Sequence, residues 1–260
     1  STMQHPTART AAEIHRNLTA VRDRIARAAA RSERAPEDVR LLVVTKTVPA
    51  DRVRLAAAAG CRDLGENKVQ EAKQKSVELS DLDVTWSIIG HLQTNKAKTV
   101  AGFAAEFQAL DSVRVADALD RHLQAAGRAL DVYVQVNTSG ENSKYGVTTD
   151  GLPALLCDLA HHHSLRVRGL MTLATLTSDT ATVRSCFRLL RTLRDQARDQ
   201  DPDLIGPGEL SMGMSGDYEI AIEEGATCVR VGQAIYDERP RPDSHYWPEA
   251  EATESPGPGP

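Results

Sequence analysis

Lys46 ends an apolar run, Leu41-Leu42-Val43-Val44-Thr45-Lys46-Thr47, so a strand here would carry its amine to whatever lies at the strand's carboxyl end. Most lysines keep the ammonium in water, and one carried by a strand core needs a reason. Burial would lower the amine's pKa, and a neutral amine attacks carbonyls to form a Schiff base. A strand that merely ends in a solvated lysine has the same sequence. A second cluster, Ser211-Met212-Gly213-Met214-Ser215-Gly216-Asp217, sets glycines and hydroxyls just before a helical pattern. Glycines let backbone approach a ligand closely, while helix N-terminal amides and serine hydroxyls bind phosphate. Capped loops look similar. Gly232, after Arg230-Val231, supplies a partner loop.

These residues need a frame that gathers strand ends. Ile14, Leu18, Val21 and Ile25 recur at steps of four, three and four, which predicts an amphipathic first helix. Beyond Pro36, β-rich runs appear near 41–45, 62–64, 84–89, 106–110, 131–136, 166–173, 208–212 and 227–231. Helical patterns near 50–59, 67–79, 94–101, 112–126, 151–162, 180–198, 217–224 and 233–236 alternate with them. Alternation implies parallel strands, and eight units in 260 residues predict an α/β protein, a single (β/α)8 TIM barrel. An open doubly wound sheet is the competing architecture, but no G-x-G-x-x-G follows the first strand. The expected organisation is a helical segment at 1–38 packed on a barrel at 39–239, then a disordered tail at 240–260. From Pro240 onward, prolines and acids leave little apolar surface to bury, and no second domain is expected.

Polar residues gather just after the predicted strands. In order these are Lys46, Glu66-Asn67, His91 with Gln93, Asp111, Asn137, Met171-Thr172, Ser211 to Ser215, and Arg230 with Gly232. In α/β barrels that face carries the active site, and phosphate commonly binds in the loops after strands seven and eight. Any one residue could be a cap; Asp111-Ser112 reads as an N-cap. A strand-one lysine facing a phosphate loop suggests pyridoxal 5'-phosphate (PLP), which needs an amine for its aldehyde and a site for its anion.

Composition removes other classes. A net charge of −5 argues against nucleic acid, whose binding rests on cationic contacts. The Arg-rich stretch from Arg184 to Arg198 is interleaved with Asp on a helical pattern and reads as a solvated face. No segment is long and apolar enough to span a bilayer, and the N-terminus lacks a signal peptide's apolar core. Cys61, Cys157, Cys186 and Cys228 form no C-x-x-C pair and read as buried or free thiols of a cytoplasmic protein. His161-His162-His163 on a helix would point about 100° apart and share no metal. A monomer is expected, since no long apolar excess marks an obligate interface.

The chain resembles the pyridoxal phosphate homeostasis protein family, single-domain relatives of the alanine racemase N-terminal barrel. The matching pieces begin with Val44-Thr45-Lys46-Thr47, Gly65-Glu66-Asn67 with Val69-Gln70-Glu71, and Ile89-Gly90-His91-Leu92-Gln93-Thr94-Asn95-Lys96. They continue with Val136-Asn137, Glu141-Asn142-Ser143-Lys144-Tyr145-Gly146 and Arg168-Gly169-Leu170-Met171. The last are Leu210 to Ser215, Ala221-Ile222 with Gly225, and Val229-Arg230-Val231-Gly232. They fall in the family's order over residues 40–236. The resemblance implies a fold-type III PLP barrel with Lys46 as the Schiff-base lysine and Arg230 facing the pyridine nitrogen. Ser215 and the loop of Gly232 and Gln233 would hold the phosphate, with Asn67 and Ser211 nearby. Four positions depart from the family: Ser87 stands where His is usual, Gln233 replaces Thr or Ser, and Tyr236-Asp237 replaces Phe-Gly. Gln233 puts one side-chain phosphate contact in doubt more than the site itself.

An arginine always carries charge and only donates hydrogen bonds, so it favours an unprotonated ring nitrogen and a weak electron sink. In the racemase relatives the opposing base is a tyrosine from another domain. Cofactor binding, storage and delivery, with apo PLP enzymes as recipients, is therefore the leading expectation. A modest PLP racemase or lyase using Lys46 with His91 or Tyr145 is the second. A sugar-phosphate barrel enzyme with Lys46 attacking a substrate carbonyl is the third.

Overall fold

A computed structural model of the chain describes residues 10–142 and 145–236. The expected tail, and Lys144 of the Glu141-to-Gly146 motif, lie outside the described residues. Eight strands, β1 (Arg40–Val44), β2 (Asp63–Glu66), β3 (Thr85–Ile88), β4 (Glu106–Leu110), β5 (Leu130–Gln135), β6 (Leu165–Met171), β7 (Glu209–Ser211) and β8 (Cys228–Val231), close in chain order into a barrel. All pairs are parallel, and closure comes from β8 against β1, with Val231 beside Val43. Outside lie α2 (Ala50–Ala58), α3 (Val69–Glu78), α4 (Ala97–Phe103), α5 (Val113–Ala126), α6 (Leu152–Leu159), α7 (Thr180–Gln200), α8 (Tyr218–Glu223) and α9 (Gln233–Tyr236). The fold is the (β/α)8 TIM barrel that the alternation predicts.

The first helix, α1 (Ala11–Arg31), starts where Thr10 Oγ1 accepts the Glu13 N–H at 3.1 Å. Ile14, Leu18, Val21 and Ile25 are all buried. Each contributes about 2 kcal/mol of apolar burial. The helix packs on α8 and α9, and Asn17 Nδ2 donates to the Ile235 carbonyl at 3.0 Å. The helical segment thus seats against the end of the barrel's own last unit.

Because strand side chains alternate, each strand has one face toward the barrel axis and one toward the helices. The axis is not wholly apolar. Arg40 donates to Asp63 Oδ1 at 2.9 Å and to Glu106 Oε2 at 2.8 Å, and Ser87 Oγ donates to Glu106 at 3.0 Å. Ser87 therefore helps solvate a buried carboxylate. Glu106 also accepts from Gln108 Nε2 at 2.7 Å.

On the outside, Arg184, Arg188 and Arg191 of α7 do more than face solvent. Arg184 and Arg188 reach Glu224 Oε2 at 2.8 and 3.1 Å, and Arg191 reaches its other oxygen at 3.2 Å. Spacing at three and four residues puts these arginines on one stripe, and a nearly buried carboxylate after α8 needs them. His162 of the histidine run pairs with Asp117 at 2.6 Å.

Candidate functional site

β1 stops at Val44; Thr45 is buried, and Lys46 and Thr47 form an exposed turn at the mouth. Lys46 is therefore not carried inside a strand core, and of the two readings its sequence allows, the exposed lysine is the one found. The strand ends two residues too early to bury it. Thr47 adopts φ 62, the left-handed region, where a β-branched residue is strained. The buried lysine is instead Lys75 of α3. Its Nζ donates to Glu66 Oε2 and Glu71 Oε2, both at 2.7 Å, and to the Thr45 carbonyl at 2.6 Å. Glu66 is the last residue of β2, on its helix-facing side, and fully buried. Burial pushes its carboxyl above the usual glutamate range although Lys75 and Thr45 pull the other way.

Lys46 shares a cavity of about 400 Å³ with Ser215, Arg230, Gly232, Gln233 and Tyr236. The neighbouring strands β6, β7, β8 and β1 carry its walls. Ser211 is fully buried and does not line the cavity; it lies behind Arg230 and accepts from Arg230 Nη1 at 2.6 Å. Arg230 Nη2 donates to the Thr172 carbonyl at 3.0 Å. Ser211 Oγ in turn donates to Gln108 Oε1 at 2.7 Å, which joins Arg230 to the polar chain through the barrel axis. Among the described residues no carboxylate pairs with this guanidinium, and burial lowers its pKa from the usual arginine value.

The two loops after β7 and β8 both border the cavity. A Cβ on Gly232 would stand 2.8 Å from the Val44 carbonyl oxygen, so this glycine lets β8 and β1 close. Gly213, at φ +106, turns the β7 loop back on α8, where a Cβ would meet Ala221 Cβ at 2.7 Å. Ser215 and Gly216 both line the cavity, and their N–H groups are unpaired within the described residues. The Tyr236 hydroxyl is buried with no partner among them. Leu173, Leu176 and Met214 form an exposed apolar rim.

Asn67 lies elsewhere. It lines a second cavity of about 610 Å³ with Lys68, His91, Lys96 and Tyr145, sharing no lining residue with the first. His91 and Tyr145 stack there with ring centroids 3.9 Å apart. Sequence reasoning missed Lys75, Gln108 and Glu106. Two signals were present: Glu71 and Lys75 stand at i,i+4, and Glu106 with Gln108 put two polar side chains on one face of a strand.

The chain is a closed parallel barrel with a lysine beyond β1 and an arginine on β8, and its residues 16–240 match the alanine racemase N-terminal domain family. A Pseudomonas aeruginosa protein named pyridoxal phosphate homeostasis protein is 42% identical over 226 residues, spanning 87% of this chain and 96% of that one. A protein of the same name from Aquifex aeolicus is 39% identical over 222 residues, 85% of this chain and 96% of its own. PipY of Synechococcus elongatus, solved with PLP bound, superposes with a TM-score of 0.75 at 35% identity, covering 86% of this chain and 99% of that one. The chain belongs to the pyridoxal phosphate homeostasis protein family.

Proposed function

We propose that the protein binds PLP reversibly in the Lys46 cavity and serves intracellular PLP homeostasis by holding and delivering the cofactor. The observation that carries this is the pairing, in one cavity, of an exposed amine with a buried guanidinium that has no carboxylate partner among the described residues. The residues fit the group on three counts. Lys46 offers an amine to an aldehyde, and Ser215 and Gly216 offer unpaired N–H groups to an anion. Arg230 has donors left to face a ring nitrogen, and the rim of Leu173, Leu176 and Met214 suits the flat apolar face of a ring. Gly232 and Gln233 complete the anion side through backbone. Ser211 holds Arg230 in place from behind, and Asn67 lines the other cavity.

When bound, PLP supplies an electrophilic aldehyde and an electron-accepting ring. Arg230 limits the second property, because a guanidinium that only donates leaves a ring nitrogen unprotonated. The racemase reading asks for a second acid/base beside Lys46, and the two residues considered for that role, His91 and Tyr145, line the other cavity. We therefore read the protein as a cofactor carrier of the cytoplasm without strong turnover, acting as a monomer and passing PLP to apo-enzymes.

The test is direct. Purified protein mixed with PLP should gain visible absorbance, and the loaded protein should activate an apo PLP enzyme. Robust conversion of any L- or D-amino acid, without transfer to the apo-enzyme, would overturn the carrier reading in favour of an enzyme.

A further inference from the structure

We infer that Glu71 and Lys75 of α3 are positioning residues for Lys46, clamping the backbone on both sides of it. This rests on the reading of Lys46 as the lysine that takes PLP. Lys75 Nζ donates to the Thr45 carbonyl at 2.6 Å, one residue before Lys46. Glu71 Oε2 accepts the Thr47 N–H at 2.7 Å, one residue after it. The same Glu71 oxygen accepts from Lys75 at 2.7 Å, so the two ends of the clamp are tied to each other. Glu66 Oε2 anchors Lys75 at 2.7 Å from the fully buried side and also takes the Thr45 hydroxyl.

The clamp has a task that the bare chain leaves undone. Thr47 sits at φ 62 without being glycine, a conformation that persists only where its surroundings fix it. Of the contacts on that residue, the Glu71 carboxylate on the Thr47 N–H is the charge-assisted one and therefore the strongest in kind. Release of Thr47 would let the 45–48 turn relax toward ordinary backbone, and Lys46, exposed and with no side-chain partner of its own among the described residues, would lose its direction into the cavity. Glu71 and Lys75 line none of that cavity. They act on Lys46 only through its backbone neighbours.

Glu71→Ala and Glu71→Gln separate this role from general stability, since Glu71 is partly exposed and its loss spares the buried Glu66–Lys75 pair. One glutamate oxygen makes both contacts, so the single amide oxygen of glutamine can retain them. In cofactor-free protein, Glu71→Ala should speed amide exchange of the 45–48 segment roughly tenfold, as for loss of a charge-assisted hydrogen bond. In PLP-treated protein, borohydride should fix roughly tenfold less cofactor on Lys46, with the label spreading to other lysines. Glu71→Gln, which keeps an acceptor oxygen but loses the charge, should fall between wild type and Glu71→Ala in both. Wild-type exchange in Glu71→Ala, or faster exchange with unchanged labelling of Lys46, would overturn the clamp. Absence of labelling in the wild type would count against the cofactor reading instead, and the exchange comparison, made without PLP, would still decide the clamp.

Discussion

Arg230 Nη1 donates to Ser211 Oγ across 2.6 Å, and both side chains are buried inside the barrel between β7 and β8. Ser211 then donates to Gln108 and Gln108 to Glu106, so the guanidinium at the mouth is the upper end of a chain that reaches Arg40 at the start of β1. Only a donor suits this place, because Thr172 presents a carbonyl to it.

Replacing that donor by an acid should therefore cost the fold. Arg230→Glu would set a carboxylate against the Thr172 carbonyl and leave it buried without a cation, at roughly 3 kcal/mol or more. Thermal unfolding without cofactor would read this as a clear fall in Tm. Arg230→Gln, which keeps a donor, should fold and change the visible spectrum of bound PLP. A Gln variant with the wild-type spectrum would mean that Arg230 does not face the ring.

Lys46→Ala should fold normally, since the side chain is exposed. It should abolish borohydride-stable attachment of PLP, with weak reversible binding left to the backbone donors. Peptide mapping of the wild type checks the assignment, and recovery of the label mainly on Lys68 or Lys96 would refute it.

Lys75→Met isolates the buried Glu66 carboxylate, and breaking such a pair costs about 3–5 kcal/mol. The double variant Glu66→Gln/Lys75→Met removes both charges and should recover most of the loss. Urea unfolding of the two single variants and the double gives the coupling directly. Simple additivity would mean that the 2.7 Å contact carries no energy.

Acid stability should depend on Glu224. Burial opposes its ionisation, but hydrogen bonds from Arg188 and Arg184 outweigh that and hold its carboxyl below the usual glutamate range. A lowered folded-state pKa means the unfolded chain binds more protons. The contribution is therefore complete above about pH 4.3, the unfolded glutamate value, and is lost as pH falls through the folded one. Glu66 has the opposite sign, since its raised pKa makes ionisation destabilising as pH climbs past the same point. Denaturation at a series of pH values should show a flatter acid limb in Glu224→Gln, and an unchanged limb would remove Glu224 from the account.

Gly232→Ala should strain the β8–β1 closure, because the new Cβ would stand 2.8 Å from the Val44 oxygen. A loss of about 1–3 kcal/mol is expected, as for other overpacked sites, together with weaker PLP binding. Wild-type stability would show that the barrel yields at this seam.

The chain's own pattern determined the barrel. Apolar period two and period 3.6 are local properties, and eight alternations of them leave few ways to bury every stripe, so all eight strands fall within a residue or two of the predicted runs. The residues at the mouth were legible for the same reason: Lys46, Ser215, Gly232 and Gln233 follow strand ends that closure must gather, and Arg230 stands one residue before such an end. Which of them are buried, and against what, was decided only by tertiary structure. β1 stops short of Lys46, while Lys75, on what reads as a surface helix, is buried because fully enclosed Glu66 needs a cation. Asn67 follows β2, on the far side of β1 from β8, and so opens on another cavity. Arg40, Asp63 and Glu106, distant in sequence, meet because parallel strands start at one level, and the sequence carries the charges but not that level. Period fixes which face a residue is on; the register and length of neighbouring strands fix what it meets there.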